Sequence, residues 1–172
     1  MTSAAIVTET TEPQRSRPRM FGGRLEPLLL PWTWATAQLT TARTYWIATT
    51  RPSGRPHTRP VWGVWLEGTF YFSTGSLAAG NLARSPEITL HLESGSSVVI
   101  LEGVVESVTD ESLVARIVDA NNVKYNWDLD AAKLPGAFYA VRPRVAFGWV
   151  SDPSGLDYGS AFHGTATRWR FR

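Results

Sequence analysis

A chain of 172 residues with 43% hydrophobic content and eight tryptophans is long enough for one domain with a sizeable core, and too apolar to be disordered throughout. Its net charge of +2 arises in the first 24 residues, where Arg15, Arg17, Arg19 and Arg24 outnumber Glu9 and Glu12; the neutral remainder argues against a nucleic-acid-binding face. There is no cysteine, which excludes disulfides, thiol nucleophiles and thiolate metal sites.

No apolar run approaches the roughly 18 residues a membrane span needs. The start, Met1 to Thr8, has neither the basic nor the apolar region of a signal peptide. A cytoplasmic protein without membrane contact is expected.

Residues 1–24 are rich in Thr, Glu, Pro, Arg and Ser, so they read as a disordered arm ahead of one domain over 25–172. Leu28 to Pro31 introduces a helix with Thr33 as N-cap and Ala35, Leu39 and Ala42 at helical spacing. Tyr45 to Thr50 is a β-branched and aromatic strand, and Pro52-Ser53-Gly54 supplies a turn. His57 to Leu66 reads as a second strand, Glu67-Gly68 as a turn, and Thr69 to Thr74 as the returning strand. Leu77 to Arg84 suits two helical turns, weakened by Gly80 and stopped by Ser85-Pro86.

Glu87 to Leu92 alternates as a half-buried strand does, and Ser94-Gly95-Ser96 turns the chain. Ser97 to Val108 is a long strand with a bulge or bend at Gly103. Thr109-Asp110-Glu111 opens a helix towards Asn122 with Leu113, Val114, Ile117 and Val118 inside. Ala137 to Val150 is a strand that Pro143 confines to an edge or bulge, and Thr167 to Arg172 alternates strictly. Hairpins without βαβ alternation predict a mainly β, antiparallel barrel with helices outside it. Strand 57–66 is apolar on both faces, with Val61 and Trp65 on one and Trp62 and Val64 on the other. A homodimer covering the outer face is the economical expectation.

Phosphate-loop, dinucleotide, nucleophile-elbow and zinc-protease motifs are all absent from the sequence. His57, His91 and His163 are too scattered to suggest a metal site, and no residue identifies itself as catalytic. The distinctive chemistry is cationic. Arg43, Arg51, Arg55 and Arg59 lie between Pro27 and Leu66 with no acidic residue among them. Guanidinium groups suit phosphate, and backbone N–H groups at Ser73-Thr74-Gly75-Ser76, ahead of a helix, suit an anion. Trp62 and Trp65 are candidate walls for a flat ring. Tyr125 is either a pocket residue or a helix-end aromatic packed on the barrel.

The run from Tyr45 to His57, then Arg59-Pro60-Val61-Trp62-Gly63-Val64-Trp65, Tyr71 to Gly75, Asn81-Leu82-Ala83-Arg84 and Thr167 to Phe171 resembles the pyridoxamine 5′-phosphate oxidase-like split-barrel family. The resemblance is strongest to its actinobacterial flavin- or deazaflavin-dependent oxidoreductases and covers residues 30–172. It implies a dimeric FMN-binding split barrel with a cofactor, coenzyme F-420 first or FMN second, held by Arg55, Arg59, Pro60, Val61, Trp62, Ser73, Thr74, Gly75 and Asn81. The implied activity is hydride transfer between that cofactor and a small organic substrate. Relatives carry a basic pair just before the segment matching Asn81-Leu82; this chain has Leu77-Ala78-Ala79-Gly80. The oxidase's Gln on the strand 97–102 and its C-terminal Arg-x-His are missing too, so pyridoxamine phosphate oxidation itself is not expected. The alternative is a non-catalytic carrier or sensor for a cofactor, haem or metabolite.

Overall fold

A computed structural model of the chain describes residues 12–19, 28–134 and 136–172. Nine strands and four α-helices are found among them, in the order β1 (Gln14–Ser16), α1 (Trp32–Thr41), β2 (Tyr45–Thr50), β3 (Pro56–Val61), β4 (Gly63–Leu66), β5 (Thr69–Ser73), α2 (Ser76–Arg84), β6 (Glu87–Leu92), β7 (Ser97–Ser107), α3 (Glu111–Tyr125), β8 (Phe138–Val150), α4 (Ser160–Thr165) and β9 (Thr167–Arg170). A 3₁₀ turn at Ala131–Lys133 precedes β8.

All strand pairings are antiparallel, and they run round a ring. β3 pairs with β2, β2 with β6, β6 with β7, β7 with β8, β8 with β5, and β5 with β4. The ring closes because β3 and β4 are consecutive, divided only at Trp62. The single strand expected over 57–66 is therefore two: its first half hydrogen-bonds to β2 and its second to β5. The break changes which side chains face inwards. Val61 joins the barrel core while Val64 joins the cluster beneath α3, and Trp62 between them is 62% exposed. The outer face expected to need a second subunit is thus covered at Val64 by α3 of the same chain.

β8 is long enough to serve two partners on one side. Its first part pairs with β5 and its last part with β9, and Pro143, which has no N–H to donate, falls between the two ladders. Opposite it, Gly103 sits at a register shift. A Cβ there would lie 2.3 Å from the Arg142 carbonyl oxygen, so only glycine fits the bulge.

The barrel interior is filled by alternate residues of each strand, including Tyr45, Ile47, Phe70, Phe72, Leu90 and Leu101, all fully buried. Each is worth about 1.5–3 kcal/mol relative to exposure, which makes the barrel a rigid platform. Helix α1 starts at Trp32 rather than after a Thr33 cap, with Pro31 at the N-cap position. Aromatic packing sets that start: Trp32 meets Trp65, Trp169 and Phe171 edge to face at 6.1, 5.4 and 4.9 Å. Helix α3 starts where Asp110 accepts a hydrogen bond from Leu113 N–H at 2.9 Å, and buries Ile117 and Val118.

Within the segment read as a disordered arm, Gln14–Ser16 form β1, paired with β9 in the register Arg15 to Trp169. Residues 1–11 and 20–24 of that segment lie outside the described residues. Among the described residues no helix is long and apolar enough to cross a membrane.

Candidate functional site

The β3–β4 break opens a cleft. After Val61 the chain leaves the β2 ladder and Trp62 points away from the core. Across from it β5 ends at Ser73 and the backbone runs through Thr74 and Gly75 into α2. Thr44, Arg59, Pro60, Val61, Trp62, Ser73, Thr74 and Gly75 line a cleft of about 590 Å³, well inside the range of cofactor sites.

Seven of the nine residues expected at the site thus come together here. The other two do not line it. Arg55 is exposed in the β2–β3 turn, where its carbonyl accepts from Arg51 N–H at 2.9 Å. Asn81 is buried in α2 and donates from Nδ2 to Thr49 Oγ1 at 3.0 Å, bracing the helix against β2. Thr44 was not anticipated; nothing in a lone threonine before a strand marks it.

The polar groups of the cleft are poised for a guest. Arg59 Nε and Thr74 Oγ1 are buried without a hydrogen-bond partner among the described residues. Unpaired buried polar atoms are costly, and an acceptor-rich ligand would relieve both. Helix α2 begins behind Gly75 without a side-chain cap, so its first N–H groups are free of local competition for an anion. Its only basic residue in a terminal turn is Arg84, in the last one. These donors fit a phosphate-bearing, flat cofactor, with one cation close by instead of several.

Tyr125 is a strut, not a cleft residue. Its hydroxyl accepts from Gly63 N–H at 3.0 Å and lies within hydrogen-bond reach of the Gly63 and Arg43 carbonyls at 2.8 and 2.9 Å. Beside it Lys124 Nζ donates to the Tyr45 hydroxyl at 2.5 Å and to Gly63 O at 3.2 Å. Burial, and next Arg43, bring Lys124 down to about 8, and burial pushes the Tyr45 and Tyr125 hydroxyls up. This cluster fixes the residue after Trp62 from below. Gly63 also has no room for a side chain: a Cβ would lie 2.4 Å from the Tyr71 carbonyl oxygen.

The histidines stay apart. His57 Nδ1 is 3.4 Å from Thr49 Oγ1, His91 stacks on Trp46, and among the described residues no three His, Asp or Glu side chains gather as a metal site would need.

The fold is a mainly antiparallel β barrel with flanking helices, of the pyridoxamine 5′-phosphate oxidase-like kind. The profile of pyridoxamine 5′-phosphate oxidase matches residues 35–151, and the chain belongs to that family. Among solved structures, it is similar to a conserved hypothetical protein from Mycobacterium tuberculosis at 23% identity and TM-score 0.65, covering 78% of this chain and 93% of the other. An F-420 reductase matches at 22% identity and TM-score 0.52, over 63% of this chain and 93% of that one. A pyridoxamine 5′-phosphate oxidase-related, FMN-binding protein from Nostoc punctiforme matches at 15% identity and TM-score 0.52, over 84% and 98%. At such identities the likeness is one of fold. A search of curated proteins found no match.

Proposed function

We propose that this chain is a cytoplasmic, homodimeric oxidoreductase that binds coenzyme F-420 or, as second choice, FMN in the β3–β5 cleft. The observation that carries the reading is the pairing of buried, unpartnered Arg59 Nε and Thr74 Oγ1 with exposed Trp62 on one cleft. Arg59 and the N–H groups after Gly75 hold the anionic portion; Pro60, Val61 and Trp62 flank the ring. A cofactor of this kind supplies hydride transfer to or from a small organic substrate. The protein's share is alignment and exclusion of water, with no side chain assigned to proton transfer. Names of similar proteins, an F-420 reductase and an FMN-binding protein, support both candidates.

The dimer is supported by a row of residues across the outer sheet face rather than by the Trp62 and Val64 face. The register sets Pro60, Trp46, His91, Ile100 and Phe147 in one row across β3, β2, β6, β7 and β8. All but Pro60 are half-buried in the single chain, and around His91 they form a largely apolar row that a second copy would cover.

A second reading, a non-catalytic carrier or sensor of a cofactor, haem or metabolite, is favoured by one feature: Leu77-Ala78-Ala79-Gly80 gives the first turns of α2 no cation. Parallel fluorescence titrations with F-420 and FMN test both. Binding of either tighter than about 100 μM, roughly −5.5 kcal/mol, followed by turnover of the reduced cofactor with an electron-poor acceptor, supports the oxidoreductase. Binding without turnover selects the carrier. Absence of binding to both removes the oxidoreductase reading.

A further inference from the structure

Trp62 has two sides. Beyond the cofactor cleft lies a second hollow of about 360 Å³, at the small end of ligand pockets, which shares Trp62, Ser73, Thr74 and Gly75 with it. Its own walls are Asn121, Trp127, Leu129, Leu134, Gly136 and Phe138, and among the described residues no charged side chain lines it.

The aromatic corner is held in advance of any ligand. Helix α3 ends at Asn126, whose φ of 57° turns the chain back over the barrel, a conformation asparagine tolerates better than most residues. Trp127 then stacks on Tyr125 at 4.5 Å and meets Trp62 edge to face at 5.5 Å. Asn122 clamps the next wall: its Oδ1 accepts from Leu129 N–H at 2.9 Å and its Nδ2 donates to Leu129 O at 3.0 Å. Asn121 is buried, and its Nδ2 is committed to Ile117 O at 2.8 Å, leaving the side-chain carbonyl as an open acceptor. A pre-built wall does not have to be ordered on binding, which favours affinity.

The geometry points to this hollow as the substrate subsite, shaped for a flat, uncharged ring compound with one hydrogen-bond donor, and bordered on the cofactor side by Trp62 and the Ser73 to Gly75 segment. An ionised guest would lose its water and find no partner charge among the lining residues, a cost that apolar contact does not repay. A neutral ring loses only weakly held water against Trp62, Trp127, Leu129, Leu134 and Phe138. The term "substrate" rests on the cofactor reading above; the selection for neutral guests does not.

Calorimetric titration of the full chain, with no cofactor added, uses 2-naphthol, whose hydroxyl can donate to the Asn121 carbonyl, and its 6-sulfonate as neutral and anionic probes. The neutral probe is expected to bind at least tenfold more tightly than the sulfonate. Trp127→Ala, and separately Leu129→Arg with its fold checked by thermal melting, are expected to lose that binding at least tenfold and to keep cofactor affinity within twofold. Equal binding of both probes, no binding of either, or unchanged neutral-probe affinity in a folded variant overturns the inference. Failure of F-420 and FMN to bind while the neutral preference holds overturns the cofactor reading alone and supports the hollow as a neutral-ligand site.

Discussion

On one side of Trp62 the wall carries Arg59, Pro60 and Val61, while Ser73, Thr74 and Gly75, ahead of the uncapped start of α2, border both sides. On the other side it is made of Trp127, Leu129, Leu134 and Phe138, with no charge and with its loop pinned by Asn122. The first surface leaves donors open and depends on a guest to satisfy them. The second offers shape, with the Asn121 side-chain carbonyl as its open acceptor. The difference separates two tasks, holding an anionic cofactor and selecting a neutral partner for it, between two sheet ends that one broken strand brings together.

The largest expected effect attacks the floor common to both sides. Gly63→Ala forces a Cβ against the Tyr71 carbonyl and the Phe70 ring, and is expected to cost about 3 kcal/mol or more in denaturant unfolding. Unchanged stability would mean that the strands at the break are looser than described. Arg59→Ala strikes the cofactor side alone. Loss of a charge-assisted hydrogen bond of roughly 1.5–3 kcal/mol would weaken F-420 or FMN binding about tenfold to a hundredfold, with neutral-probe affinity held. Equal losses for both ligands would erase the distinction between the two sides.

Tyr125→Phe sharpens the comparison from the opposite direction. It keeps the ring beneath Trp127 but strands the buried Gly63 N–H, so unfolding should register a loss of about 1–3 kcal/mol. Cofactor affinity should stay within twofold, read by the same titration. The smallest effect is in pH. Lys124 titrates near 8 when folded against an ordinary 10.5, so above pH 8 the unfolded chain binds more protons and this group's contribution to stability grows up to about pH 10.5. Tyr45 and Tyr125, raised by burial, oppose it above about pH 10, where the unfolded tyrosines lose protons first. Melting temperature in the wild type should therefore gain between pH 8 and 10 relative to Lys124→Met, by a modest amount because half of the side chain is solvated.

The barrel was legible because its signals are local. Alternation in Tyr45–Thr50 and Glu87–Leu92, the Asp110 cap and the Gly103 and Pro143 irregularities each declare themselves within a few residues. So did most of the cleft, since Arg59 to Trp62 and Ser73 to Gly75 are contiguous words. The break at Trp62 was not legible. Val61-Trp62-Gly63-Val64 has uniform strand propensity, and only the competition between β2 and β5 for the two halves shows where pairing changes. Strand β1 was hidden for a similar reason, as Gln14-Arg15-Ser16 has little strand propensity and is ordered by β9. The neutral hollow was missed because Asn121, Trp127 and Phe138 converge only after α3 folds back. Its one local signal was the Asn126-Trp127 pair at the end of an apolar helix pattern, a C-cap asparagine followed by an aromatic.

The most direct test of the central claim is a crystal structure of the full chain grown with whichever of F-420 or FMN binds. The ring is expected against Pro60 to Trp62, with the anionic end within hydrogen-bond distance of Arg59, Thr74 and the backbone N–H groups after Gly75. Cofactor density seated elsewhere on the barrel, with Arg59 and Thr74 still unpartnered, would contradict it.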